Sequence, residues 1–168
     1  DGKSESMPAN YAHNLKNETT GIVETTMIDN ATILKPENCE GLVYFLPTPK
    51  SPHGVDVDPT GELIVTGGKL SATMAVHSFS NMVKAIEAQD FNGDSYGIPI
   101  LKYESILAGE IEKACLGPLH TEFDGNGFAY TSCFLSSEII KSDLNTFQVV
   151  DRVPAFYSIG HLLIPGGD

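Results

Sequence analysis

Apolar residues in this chain come in short bursts divided by turn-forming residues. Residues 1–20 are polar and turn-rich, with no clear period. Between 21 and 46 the stretches GIVETTMI, ATIL and GLVYFL read as strands separated by Asp-Asn and Pro-Glu-Asn turns. From about residue 50 the bursts acquire a rhythm. Gly54-Val55-Asp56-Val57 alternates, and Glu62-Leu63-Ile64-Val65-Thr66 is a second apolar run. Between them Asp58-Pro59-Thr60-Gly61 is a tight-turn sequence, with proline presetting φ and glycine relieving strain. The unit is a hairpin, and ATMAVHSF, apolar at Met74 and Val76, adds a third strand.

The period then changes. In residues 80–91 Met82, Val83, Ala85 and Ile86 fall on one face at helical spacing, and Ser80 is available as an N-cap. Residues 92–105, with Asn-Gly and Gly-Ile-Pro, read as a loop, and 106–114 as a short helical turn. The hairpin then recurs as GPLHTEFDGNGFAYTSCFL. His53 is followed five residues on by Asp58 and then by Gly61; His120 is followed four residues on by Asp124 and then by Gly127. SEIIKSDL and TFQVVDRV continue as two strands, and Tyr157-Ser158-Ile159-Gly160-His161 opens a third approach. Regular short strands and a repeated hairpin predict an all-β fold over 1–168. It is a partial β-propeller of about two to three blades, with a short helix in one inter-strand insertion. Two and a half copies do not close a ring, so a piece of a longer chain is expected. The ends fit that expectation: DGKSESMPANYAHN has no Met start and no signal-peptide pattern, and HLLIPGGD stops in mid-motif.

Charge narrows the partners. With 10 Lys+Arg against 22 Asp+Glu the net charge is −12, and Arg152 is the sole arginine. A chain so poor in cations is a poor ligand for nucleic acid or anionic lipid. No apolar run approaches the roughly 20 residues of a membrane helix, so no membrane insertion is expected. The cysteines are Cys39, Cys115 and Cys133. An odd number without a CxxC argues against a disulfide framework or a zinc knuckle, and Cys115 and Cys133 are expected as small core residues.

Candidate chemistry lies in the histidines. Of His13, His53, His77, His120 and His161, three stand one or two residues after Pro or Gly at a strand entrance: SPHG, GPLH and SIGH. Blade entrances of a propeller face the central channel, so His53, His120 and His161 are expected to converge there. Their separations, 67 and 41 residues, fit no local zinc motif, so any metal site is long-range. Neutral imidazole suits copper, zinc, iron and nickel. Structural histidines on a non-catalytic propeller scaffold or binding module are the alternative. A hydrolytic propeller with a single divalent ion ranks lowest, because it calls for carboxylates where this chain has His.

The strings KSPHGVDVDPTGELIVTGGKLSATMAV, LGPLHTEFDGNGFAYTSCFLSSEIIKSDL and YSIGHL, from about Lys50 to His161, resemble the β-propeller domain of the nitrous oxide reductase family. PHG, GKLS, GPLHT-x-FDG-x-G-x-AYTS and GH fall in the family's order. The resemblance implies reduction of N2O to N2 and water at a four-copper, sulfide-bridged cluster held by seven histidines. It makes His53, His120 and His161 three of those ligands. It makes Lys141 the catalytic lysine beside the cluster. It further implies a periplasmic homodimer and an external electron donor such as a c-type cytochrome or cupredoxin. A C-terminal cupredoxin domain with a dinuclear copper site belongs to the family pattern, but the cysteine spacing of that domain does not occur here. A calcium site is implied too, yet its asparagine position is Ser51, and Tyr11, Met27 and Asp29 match its other ligands poorly. Asp56, Glu122 and Asp124 are candidate acceptors for the imidazoles' outer nitrogens, Asp124 equally a turn residue.

Overall fold

The computed structural model describes the backbone of residues 4–6, 13–16, 23–26, 32–34 and 41–165, and the side chains of 41–165. Tyr11, Met27, Asp29 and Cys39 lie outside the described residues. The chain divides into two compact units, one of Asp1–Phe45 with Phe91–Ile100, the other of Leu46–Asp90 with Leu101–Asp168.

In the first unit β1 (Ser4–Ser6) pairs with β4 (Thr32–Leu34) and β2 (His13–Lys16) with β3 (Val23–Thr26), all antiparallel. The stretch GLVYFL forms no strand; only Phe45 bridges, to Ile100.

The second unit carries two four-stranded antiparallel sheets, each a propeller-type blade. The first contains β5 (Pro52–Val57), β6 (Leu63–Gly68), β7 (Met74–Ser78) and β10 (Leu107–Ile111), in the order β10-β7-β6-β5. The second is an uninterrupted meander of β11 (Pro118–Phe123), β12 (Phe128–Cys133), β13 (Glu138–Asp143) and β14 (Gln148–Pro154). Between β7 and β10 the chain inserts α1 (Phe79–Glu87), the pair β8 (Phe91–Ser95) and β9 (Ile98–Leu101), and the single turn α2 (Tyr103–Ile106). The partial all-β propeller with a helix in one insertion is thus the observed architecture.

Three local expectations are corrected. Residues 92–105 are not a loop. Their turn falls at Tyr96-Gly97, both at positive φ, rather than at Asn92-Gly93, and so leaves room for β8 and β9. Residues 107–111 are a strand, because Ala108 and Glu110 face solvent while Ile111 is buried and pairs with Met74. The helix starts one residue early and is capped by Ser78, whose Oγ accepts from Asn81 N at 3.1 Å. That hydroxyl donates in turn to Glu62 Oε1 at 2.5 Å, tying the cap to the residue that precedes β6.

One apolar core joins the two blades. Val65, Met74, Val76, Ile111 and Ala114 of the first meet Phe123, Ala129, Ile140 and Leu144 of the second. Phe147 lies so close to Gly109 that a Cβ there would sit 2.3 Å from its ring. Within this core Cys115 and Cys133 are disulfide-bonded, with Cα atoms 6.1 Å apart. The expectation of two free core cysteines is therefore overturned. The two residues bracket a single hairpin, so forming it brings them together.

Candidate metal centre

β5 and β11, the first strands of the two blades, lie side by side. Backbone meets backbone there. A Cβ on Gly54, at φ +74°, would stand 1.9 Å from Leu119 O, and one on Gly67 would stand 2.8 Å from Pro118 O. Only glycine fits such an approach, which explains both positions physically.

Each strand carries a β-bulge at its histidine. In β5 the register shifts between His53 and Val55, and in β11 between Pro118 and Thr121. Bulges break the face alternation of a strand and re-aim the side chains beside them. The rings of His53 and His120 meet edge-on with centroids 5.0 Å apart. The third histidine arrives differently. After β14 the chain turns back across the end of the blade, with Ala155 N bonded to Ser137 O at 2.8 Å and Ser158 N to Ser137 Oγ at 3.1 Å. Ser132 Oγ then donates to Gly160 O, and the His161 ring stacks on His120 with centroids 4.4 Å apart. The structure thus brings His53, His120 and His161 together at one end of the blade pair. His120 is half-buried, and the two outer rings are exposed.

The acidic neighbours divide by role. Asp56 Oδ2 accepts from Thr121 N at 2.7 Å, reaching from β5 to β11. Burial pushes its carboxyl up, against the opposing pull of that N–H and of the His120 and His53 rings. Asp124 serves its turn instead, accepting from Asn126 N at 2.9 Å, Phe128 N at 3.2 Å and Tyr130 OH at 3.2 Å. Burial opposes ionisation of Asp124, but those donors and the Lys141 charge hold its carboxyl below the usual range. Glu122 stands opposite Tyr130 on the neighbouring strand.

Lys141 pairs with Tyr130 on β12 and Asp151 on β14. Its Nζ lies 3.9 Å from the Phe128 ring centroid and 5.4 Å from that of Tyr130, a cation–π perch toward the turn end of the blade. His120 lies at the opposite end, level with Ser132. The amine therefore rests away from the imidazoles. Ser51 is exposed, at φ 62°, and its carbonyl accepts from Lys69 N. His77 is wholly buried in the first blade. Its Nε2 lies 3.1 Å from Thr66 Oγ1, Nδ1 has no partner, and burial pushes the ring down to about 4. His13 lies in β2, and its side chain is outside the described residues.

Sequence reasoning missed two contributors, Ser132 and the disulfide. The signal for Ser132 was its place in AYTS opposite the His120 bulge. The signal for the disulfide was a pair of cysteines flanking one hairpin.

No family model matches the chain. It is 31% identical over 156 residues to the nitrous-oxide reductase of Ralstonia nicotianae, covering 86% of this chain and 22% of that protein. It is 30% identical over 158 residues to the nitrous-oxide reductase of Cupriavidus necator, covering 88% of this chain and 23% of that one. The match to the Stutzerimonas stutzeri nitrous-oxide reductase is 33% over 128 residues, covering 70% and 18% respectively. This chain is a relative of nitrous-oxide reductase. It spans about a fifth of the length of those relatives.

Does the histidine set fit copper? Among the described residues no three His, Cys, Asp or Glu side chains are grouped to chelate a single ion. Stacked rings such as His120 and His161 do not aim two nitrogens at one point. Three imidazoles at one opening are nonetheless a nitrogen donor set, with each ring close to its neighbour. Imidazole nitrogen is a ligand type that copper accepts.

Proposed function

We propose that this chain is the part of a nitrous-oxide reductase propeller that contributes His53, His120 and His161 as copper ligands. The whole enzyme would reduce N2O by two electrons to N2 and water. The observation that carries this reading is the meeting of the three rings, from positions 67 and 41 residues apart, at one end of the blade pair. A scaffold reading draws support from the stacked pair alone, since rings also stack for packing.

When bound, a four-copper sulfide cluster supplies the electron density that inert N2O needs. The chain's own part is to hold and to protonate. The bulges present the imidazoles, and the glycine-only contact at Gly54 lets β5 and β11 approach closely. Lys141, released from its perch over Phe128, has the reach of a four-carbon stem and an ammonium that donates to the departing oxygen. Further ligands, a dinuclear copper electron-entry site, calcium, a homodimer and an outside electron donor belong to the same proposal. So does a periplasmic setting, which the disulfide supports, because such bonds persist in oxidising compartments. Among the described residues no helix is long and apolar enough to cross a membrane.

The test is N2O turnover by a full-length relative carrying this segment in place of its own. The unaltered graft is expected to be active. His120→Ala is expected to abolish activity, and Lys141→Met to lower kcat by about 10²-fold, in the range of a lost general acid. A copper-loaded, folded graft indifferent to His120→Ala would contradict the proposal.

A further inference from the structure

His120 is the middle ring of the three, and its backbone is fastened on both sides by side chains from other strands. On one side Asp56 of β5 accepts from Thr121 N at 2.7 Å, directly after His120. On the other, Ser132 of β12 sits opposite the bulge with its hydroxyl against three backbone groups. His120 N donates to its Oγ at 3.3 Å, and Oγ lies 3.4 Å from His120 O and in hydrogen-bond contact with Gly160 O. Gly160 immediately precedes His161. One carboxylate thus fixes β11 against β5, and one hydroxyl fixes β11 against the returning segment.

Neither bond is explained by sheet formation. Asp56 and Thr121 belong to different sheets, and Gly160 belongs to no strand. Ser132 is fully buried, so its hydroxyl cannot turn to water if its partners leave. The β-bulges loosen the ladders at the histidines, and the two clasps restore order at those points.

We propose that Asp56 and Ser132 are positioning residues, two independent clasps that set the His53–His120 and His120–His161 spacings. The proposal rests on the copper reading for its purpose but not for its test. Neither residue need touch a metal; each acts through the backbone beside an imidazole.

The experiment uses the whole 168-residue chain. Ring-to-ring nuclear Overhauser contacts are measured in the metal-free protein, with amide exchange at Thr121 as a second readout. Asp56→Ala is expected to remove the His53–His120 contact and to speed Thr121 exchange at least tenfold, while leaving the His120–His161 contact intact. Ser132→Ala is expected to do the reverse to the two ring contacts. Asp56→Asn retains an acceptor oxygen and is expected to restore the first contact. General destabilisation would weaken both contacts in either variant, so that result overturns the proposal, as does a variant that leaves its own contact unchanged. Copper(I) is then titrated into each form. Each alanine variant is expected to bind at least tenfold more weakly than the parent. If the parent binds no copper while the selective ring losses hold, the clasps stand and the copper reading falls. If the ring contacts ignore the substitutions, the clasps fall whatever copper does.

Discussion

At the residue scale the decisive positions are small or buried. Gly54 meets Leu119 O so closely that a methyl group has nowhere to go, and its φ of +74° is one that L residues adopt only under strain. Gly54→Ala is therefore expected to cost at least about 2 kcal/mol, as strain and clash combine, read from urea unfolding. An unchanged midpoint would show that β5 is free to draw away from β11. His77 makes a second prediction. Its folded value of about 4 lies below its ordinary 6.5, so the unfolded chain takes up the proton first. Its stabilising contribution is complete above pH 6.5 and is lost progressively as pH falls toward 4. A shift of that size corresponds to about 3 kcal/mol. His77→Phe should flatten this acid limb in melts between pH 7 and 4, and an identical slope would contradict it. The histidine entrances were legible in the sequence because Pro and Gly flank them and the motif repeats. The clasps were not, because a carboxylate that bonds a backbone N–H on another blade leaves no local pattern. Asp56 was visible as an acid near the site, but its partner, the Thr121 amide, lies 65 residues away.

At the element scale alternation served well and turn chemistry less so. β5, β6, β7 and β11 to β14 follow from period-two patterning and Asp-x-x-Gly turns. β8 and β9 were hidden because Asn92-Gly93 resembles a turn but lies inside a strand, and the true turn uses Tyr96 at positive φ. β10 was hidden by Gly109, which weakens a strand signal yet is required by the Phe147 ring pressed against it. The disulfide belongs to this scale too, since it closes the hairpin of β11 and β12 across 18 residues. Replacing both Cys115 and Cys133 by Ala should lower stability by about 3 kcal/mol, as loop entropy returns to the unfolded chain. The same loss is expected on reduction with dithiothreitol. A denaturation midpoint indifferent to both would mean that the cysteines act as ordinary core residues.

At the scale of the whole molecule, two blades share one core, and their first strands meet where the histidines stand. The insertion enters between β7 and β10, the third and fourth strands of its blade, and so lies outside the β5 and β11 strands in sequence. The meeting of His53 and His120 was anticipated by the repeated hairpin, whereas His161 reaches His120 from a returning segment that belongs to no strand. The resting place of Lys141 did not follow, because rotamer choice depends on Phe128 and Asp124 across the sheet. The central claim is that these three imidazoles act together on copper, and it is tested most directly by titrating copper(I) into the chain while following each imidazole nitrogen by NMR. The account predicts that His53, His120 and His161 all shift as equivalents of copper are added and that buried His77 stays put. Movement of fewer than all three, or of His77 with them, would contradict it.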